Sequence, residues 1–526
     1  MKKATSYRGG FFISVRSTVP APQNPIKPRP FQDVFDLARN APIYYLRQVN
    51  EDLLQKAYDP ERFREEGQRL INQLSEYLKE TLSGSGPVLN YNDPLEQLEF
   101  WKKGLSGNAS KVDTANILKH ITRVHHPRYM GHQVAPPLPV ASLMALLGGF
   151  LNNGMAVYEM GMAPTAMERV VTDWLCRKLG YGTSSRGILT SGGTLANLTA
   201  LLSARRNNAS EDIWNQGYSG GLAILVSEAA HYCVDRAARI MGLGEAGVLK
   251  VPVLEDFSMD TSKLPGIYDA ARQKGLTPFA LVGSAPCTAT GSYDNLEALA
   301  DFAEENDLWF HVDGAHGGPA ILSDKYKYLL QGIQRADSVV IDGHKMMGMP
   351  VITTALLFAD GATSYNTFSQ EAEYLLADTV EEDWSNGAKR TFECTKLTSS
   401  LAWYSVLTYY GETIFEDYLN RQYDLARTFA DLIGERPHWE LACEPQSNIL
   451  CFRWVPGEVP LESLNKINGC IRQLALEEGR FYIVQTRLNG VLYLRTSLMN
   501  PFTSKGHLSE LLTYLEALGK VCLSNG

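Results

Sequence analysis

A chain of 526 residues that is 44% hydrophobic, 20% charged and 10% aromatic can bury a sizeable core. It exceeds the roughly 100–200 residues of one usual domain, so two or three structural units are expected. Lys and Arg number 49 against 58 Asp and Glu, a net charge of -9 without a long basic run, which argues against nucleic acid as a partner and lies far from disordered compositions.

In chain order, the basic start is followed by an apolar run at 11–15 that is shorter than the roughly 7–15 residues of an export signal, so it reads as a mature N-terminus. Pro20, Pro22, Pro25, Pro28 and Pro30 predict an extended arm over residues 1 to about 40. Phe63, Leu70, Ile71, Leu74 and Leu78 then recur at helical intervals. The longest apolar stretch, 138–151, is too short for the roughly 20 residues of a membrane span and is expected to form a buried helix.

From about residue 119 to 411, short apolar runs alternate with helical segments, which predicts a mostly parallel sheet covered by helices, an α/β fold. Candidate strands are 187–190, 222–227, 279–284, 309–312, 338–342 and 353–358, with helices such as 165–179, 194–205 and 296–305 between them. Strands at 448–454 and 491–496 and a helix near 507–518 suggest a smaller α+β unit. The expected division is 1–118, 119–410 and 411–526. The eight cysteines, at 176, 233, 287, 394, 443, 451, 470 and 522, show no CxxC or short-loop pairing and read as reduced thiols of a cytoplasmic protein.

In open α/β sheets ligands collect beyond the carboxyl ends of the strands, which directs attention to four places. TSGGT at 190–194 opens a helix with small residues, so it is either an anion seat or an N-cap turn. Asp313 ends a strand, where a carboxylate serves as metal ligand, turn residue or partner of a protonated nitrogen. Lys345 follows a strand, as a solvated side chain or as an imine-forming nucleophile if desolvation or neighbouring cations lower its pKa. His231 follows SEAA after another strand and taken singly is an ordinary helix-start residue. In combination, an anion seat, a ring-sized His, a strand-end Asp and a strand-end Lys are the parts needed to hold pyridoxal 5'-phosphate.

At HVDGAHGG (311–318), ADS (336–338) and DGHKMMGMP (342–350) the chain resembles the group II pyridoxal-phosphate-dependent amino acid decarboxylases, which act on glutamate, cysteine sulfinate, 2,4-diaminobutyrate or aromatic amino acids. The spacing of about thirty residues from Asp to Lys matches, as do HPRYMGHQ ending at Gln133, YEMGMAP, SEAAH and LRTSLMNP, so the likeness spans roughly 120 to 510. It implies fold type I, like aspartate aminotransferase, and a homodimer whose active site lies between subunits. It further implies that Lys345 bonds to the cofactor aldehyde, Asp313 pairs with the pyridinium nitrogen and His231 stacks on the ring. Gly193, Thr194, Ser338 and His344 would lie around the phosphate, Thr288 beside the cofactor and Ala315 beneath the ring. Arg495 matches an Arg that faces the substrate, with Gln133 and His316 as further candidates for that face.

Two departures bear on the reaction. The stretch 374–390, which matches a loop that presents a proton-donating Tyr in the family, has Tyr374 only at its start. This leaves the Cα proton donor unassigned and oxidative deamination to an aldehyde, or other carbon–carbon lyase chemistry, as the alternative to simple decarboxylation. His316 stands where many members have Trp or Tyr, as an extra acid or as a polar replacement. His120, His125, His126 and His132 lack an HExxH spacing or an acidic partner and read as turn and interface histidines rather than a metal site. A non-catalytic cofactor-binding protein fits poorly with an intact Lys345, Asp313 and His231. A cation such as Arg495, or one from a partner subunit, mildly favours acidic substrates.

Overall fold

The computed structural model describes residues 51–105, 112–209, 211–368 and 384–524. The expected proline-rich arm and most of the 374–390 stretch lie outside them. Contacts divide the chain into Met1–Asn72 and Gln73–Gly526. The expected helical periodicity is realised in the helix Pro60–Leu82, where Phe63 and Leu74 are exposed.

The second unit carries two sheets. Seven strands, β1 (Arg186–Thr190), β2 (Leu222–Ser227), β3 (Val248–Val251), β4 (Thr277–Ser284), β5 (Trp309–Asp313), β6 (Ser338–Asp342) and β7 (Thr354–Phe358), lie in the order β1-β7-β6-β5-β4-β2-β3. Every pairing among β2 to β6 is parallel, and β7 runs antiparallel to both β1 and β6. Thr190, Ser227, Ser284, Asp313 and Asp342 therefore end their strands along one edge. The central strands read as near-continuous apolar runs because helices cover both faces. Val339, Ile341, Leu281 and Leu357 enter one core with Trp403 and Phe310, whereas their neighbours Val340, Val282 and Leu356 enter the other with Ala196 and Ala200 of the helix Gly193–Asn208. The sequence pattern missed β3, a four-residue edge strand whose two middle residues are not fully buried. Half-exposed edge strands carry little apolar signal.

The second sheet is antiparallel, in the order β10-β11-β9-β8, from β8 (Trp439–Leu441), β9 (Ile449–Trp454), β10 (Val484–Leu488) and β11 (Val491–Ser497). Asn489 and Gly490, both at positive φ, close the β10–β11 hairpin, the turn chemistry such a two-residue loop requires. The helices Leu461–Glu478 and Lys505–Ser524 contribute Ile471, Leu511 and Leu515 to its core. They also carry Cys470 and Cys522, which form a disulfide. The expectation of reduced thiols throughout is corrected here: the two cysteines are 52 residues apart, and only the juxtaposition of their helices brings the Cα atoms to 6.0 Å.

The expectation of a buried helix at 138–151 is also corrected. Pro139–Leu151 is helical, yet Ala141 alone is buried, and Leu143, Leu146 and Phe150 are 47%, 51% and 63% exposed. A helix apolar on all sides needs cover all round, and the described residues supply it on one side only. Among the described residues no helix is long and apolar enough to cross a membrane.

An extended segment ahead of that helix links the two sheets. Met130 N–H donates to Tyr482 O and Ser497 N–H to Met130 O, while Ala135 N–H reaches His344 O at 3.4 Å and Leu138 N–H donates to Gly348 O. It thus runs from the small sheet to the turn that holds Lys345.

Candidate active site

The turn after β6 is the short helix Gly343–Met346, and its first residues set the geometry of the lysine. Lys345 Nζ lies 2.8 Å from Asp342 Oδ2, three residues back. Asp342 is buried; Thr354 of β7 donates its hydroxyl to Oδ1, and His344 Nε2 is 3.6 Å from Oδ2. His344 Nδ1 in turn lies 3.0 Å from Thr353 O. Burial alone pushes the Lys345 amine down, but Asp342 and Asp313 outweigh it and hold the amine above its ordinary value. Burial pushes Asp342 up, and the neighbouring Lys345 and His344 reverse this, holding its carboxyl below the usual range. The neighbours of this lysine are anions, not the cations considered from the sequence, and they favour its ammonium form over the neutral amine.

Gly193 starts the helix after β1, and Gly192 before it, at φ +115, adopts a conformation that favours glycine. A Cβ on Gly193 would approach Asp342 Oδ1 to 3.1 Å and Ala315 Cβ to 3.6 Å. The small residue lets the helix start sit against the β5 and β6 ends, with first-turn N–H groups available to an anion. Thr194, in that turn, is exposed. Ala315 ties the two strand ends together: its N–H donates to Asp313 Oδ1 and its carbonyl accepts from Asp342 N–H.

Asp313 has its other oxygen 4.0 Å from the thiol of Cys233, a buried residue in the first turn of the helix Tyr232–Ile240. His231 caps this helix, its Nδ1 accepting from Cys233 N–H at 3.3 Å. The accepting Nδ1 leaves the proton of a neutral ring on Nε2. Burial lowers the His231 pKa, Asp313 opposes this and Lys345 adds to it; the net direction is down, which favours the neutral ring. One helix start thereby brings His231 and Cys233 to the strand-end carboxylate.

Arg495 on β11 is buried, and burial pushes its pKa down. Its Nη2 donates to Thr288 O at 2.6 Å and its Nε to Ala289 O at 2.8 Å, so it fastens the turn after β4 to the small sheet. Gln133, two residues before the contact with His344, has a buried Nε2 without a partner among the described residues. His132 beside it is pushed down by burial first and then by Arg495 and Arg472. Arg472 likewise has a buried Nε without a partner.

His316 is fully buried, with Nε2 2.7 Å from Asn448 Oδ1. Asn448 Nδ2 donates to Leu498 O, so its oxygen faces the imidazole as acceptor and the His316 proton sits on Nε2. Nδ1 is left buried and bare. Burial, aided by Lys345, lowers this pKa to about 3, which favours the neutral ring.

Ser338 requires a correction. It begins β6, and four residues at about 3.3 Å each separate it from the carboxyl end where Lys345 follows. Its Oγ accepts from Trp309 Nε1 and lies 2.8 Å from His311 Nδ1, in a buried polar set completed by Asn197, so it does not join the phosphate group. The four histidines between 120 and 132 each have separate partners: His120 meets Gln97, His125 meets Pro137 O, His126 accepts from Arg128 N–H and His132 lies by the Tyr482 ring. No group of three or more His, Cys, Asp or Glu among the described residues is arranged to hold a metal ion. The sequence reading did not single out Asp342, Cys233, Asn448, Thr354 or Arg472. Asp342 alone carried a local signal, since it stands one helical turn before Lys345.

The set fits pyridoxal 5'-phosphate on structural grounds. An amine, a strand-end carboxylate, a neutral imidazole and a helix start opened by glycine converge, and the buried amide nitrogen of Gln133 lacks a partner among the described residues. Comparison with known proteins agrees. The family model described as the pyridoxal-dependent decarboxylase conserved domain matches residues 94–455. An aspartate 1-decarboxylase of Aliivibrio fischeri is 31% identical over 73% of this chain and 78% of its own length. An aromatic-L-amino-acid decarboxylase of Bacillus atrophaeus is 28% identical over 85% and 89%. The glutamate decarboxylase domain of a Vibrio parahaemolyticus diaminobutyrate-pyruvate transaminase and L-2,4-diaminobutyrate decarboxylase superposes with a TM-score of 0.75 at 27% identity, covering 85% of this chain and 94% of that one. A strand-end lysine and aspartate on a mostly parallel seven-stranded sheet, matched along most of the chain, make this protein a member of the pyridoxal-phosphate-dependent amino acid decarboxylases, carboxy-lyases of fold type I.

Proposed function

We propose that the enzyme removes the α-carboxylate of an L-amino acid with an acidic or small polar side chain, releasing an amine and carbon dioxide. The observation that carries the reading is the convergence of Lys345 and Asp313 at neighbouring strand ends, with Asp342 and Gly193 between them. Lys345 is assigned to the cofactor aldehyde and Asp313 to the pyridine nitrogen, which its carboxylate keeps protonated. His231 is assigned to the ring face, and Ala315 to the opposite one. Gly193, Thr194 and His344 are assigned to the phosphate, and Thr288 to the cofactor's edge. Pyridoxal phosphate supplies an electron sink for the bond to the departing carboxylate.

The side-chain preference rests on donors. Arg495, Arg472 and the Gln133 amide present N–H groups near His132, and Arg495 and Arg472 together depress that imidazole. Such surroundings favour a carboxylate over an ammonium or an aromatic ring. The second reading, oxidative deamination, is favoured by one observation: no Tyr lies inside 374–390 to return a proton to Cα. The exposed apolar side of Pro139–Leu151 supports a homodimer, because a patch of this kind on a folded chain marks an interface. A cytoplasmic location loses the support of an all-thiol pattern, given Cys470–Cys522.

Purified enzyme offered a panel of amino acids, with carbon dioxide, oxygen uptake and aldehyde followed together, separates the readings. Carbon dioxide without oxygen uptake, best with aspartate, glutamate or cysteine sulfinate, is expected. Coupled oxygen uptake and aldehyde would select the second reading, and a monomer by light scattering would remove the dimer.

A further inference from the structure

A second buried lysine sits on the far side of the glycine turn. Lys396 is 6% exposed in its side chain and Glu168 11%; Nζ lies 2.5 Å from Glu168 Oε1. Both groups also hold one peptide unit pair of β1: Leu189 N–H donates to Glu168 Oε1 at 3.0 Å, and Lys396 Nζ donates to Leu189 O at 2.6 Å. β1 is an edge strand, paired with β7 on one side only. The ion pair takes the place of a neighbouring strand for Leu189, satisfying the donor and the acceptor that an edge leaves open.

Leu189 is followed directly by the TSGGT turn. The same irregular segment that carries Lys396 grips that turn a second time, where Ser191 donates its hydroxyl to Glu393 Oε1 at 2.5 Å. It is anchored in turn by Met155 N–H, which donates to Thr395 Oγ1. Glu168 Oε2 is buried with no partner among the described residues, and Lys396 balances the charge of its carboxylate. The contacts fix how far β1 projects, and with it where Gly193 meets Asp342 and the lysine turn.

We propose that Glu168 and Lys396 are positioning residues for the cofactor's phosphate: they clamp the Leu189 peptide groups and so hold the 190–194 turn at the height where its N–H groups meet the phosphate beside Lys345. The inference rests on the assignment of that turn as the phosphate seat. Neither residue is assigned a contact with the cofactor.

The test compares binding of pyridoxal 5'-phosphate and of pyridoxal, which lacks the phosphate, to the apoenzyme by equilibrium dialysis. In Lys396→Met the affinity for pyridoxal 5'-phosphate is expected to fall about tenfold, while that for pyridoxal changes less than about twofold. Lys396→Arg, which keeps the charge, should restore most of the preference, and Glu168→Gln/Lys396→Met, which leaves no unpaired buried charge, keeps a folded variant available for the same ratio. Equal weakening of both ligands, or an unchanged ratio in Lys396→Met, would overturn the proposal. If the unaltered enzyme and Gly193→Ala show the same small preference for the phosphorylated ligand, the seat assignment itself falls and the positioning role falls with it.

Discussion

Two buried lysine–carboxylate pairs flank the glycine turn, and they are built for opposite ends. Lys345 keeps 21% of its side chain accessible, and Asp342 has Thr354 and His344 as further partners, so the carboxylate remains satisfied when the amine leaves. Lys396 is more deeply buried, the second oxygen of its partner has no donor among the described residues, and both side chains are tied to the backbone of Leu189. The pair that must open for chemistry is backed by other side chains; the pair that must stay closed is locked to the backbone. The lesson is that burial of an ion pair does not by itself identify a reactive group: what surrounds the carboxylate decides whether the lysine is free to leave.

The strongest way to break the contrast is at the reactive side. Lys345→Ala is expected to abolish turnover and the absorption band near about 420 nm that marks the covalently held cofactor. Retention of both would remove Lys345 from its role. Asp313→Asn leaves the shape of the site but loses the charge, and kcat should fall on the order of 10²–10³-fold, as when a preorganised electrostatic partner is removed. A change below about tenfold in steady-state kinetics would mean that another group keeps the ring nitrogen protonated.

Asp342→Asn sharpens the comparison instead. The amine of Lys345 is held above its ordinary value by Asp342 first and Asp313 second, against burial. Removal of the first anion lets burial count for more, so the amine should lose its proton at lower pH. The rate at which apoenzyme takes up pyridoxal phosphate, followed by stopped-flow absorbance, should therefore rise at a lower pH than in the unaltered enzyme. A midpoint that stays in place or moves up would contradict the geometry of the pair.

Legibility of the molecule in its sequence follows the range of the contacts. Lys345, Asp313 and His231 were readable as candidates because each lies at or within a few residues of the end of an apolar strand, and strand ends of a parallel sheet share one edge. Ser338 misled for a related reason: it lies in the same motif-bearing run as Lys345, but β6 carries it to the opposite end. Glu168 and Lys396 are 228 residues apart, and the sequence contains nothing local that pairs them. Arg495 could be recognised as a notable arginine, yet its bonds to Thr288 O and Ala289 O depend on how the small sheet meets the β4 turn. Cys470 and Cys522 pair for the same kind of reason, through two helices packed on one sheet. The disulfide ties two helices of the small sheet and lies far from the lysine turn in sequence; its reduction, or Cys470→Ser, should lower the melting temperature by a few degrees with kcat nearly unchanged.

The smallest expected effect concerns His316. Its pKa is lowered to about 3 by burial and by Lys345, and Asn448 fixes its proton on Nε2. It is therefore neutral in the folded enzyme throughout the range in which a free histidine titrates, near about 6.5. Activity and stability should therefore respond differently to pH. Activity profiles between about pH 5 and 8 should keep the same limbs in His316→Gln, because no proton on this residue is gained or lost there. Stability should respond: the unfolded chain binds a proton on His316 as pH falls below its unfolded value while the folded chain does not, so this site costs stability progressively from near neutrality down toward its folded pKa. His316→Gln, whose amide can still donate to Asn448, should accordingly lose less melting temperature between pH 7 and about pH 5 than the unaltered enzyme does. His311 and His126, both lowered to about 4 with burial as the leading cause, retain their share of the acid sensitivity, so the difference should be partial. A shifted activity limb in His316→Gln would restore the residue as an acid; equal acid sensitivity of the two proteins would mean that Nδ1 is protonated in the fold.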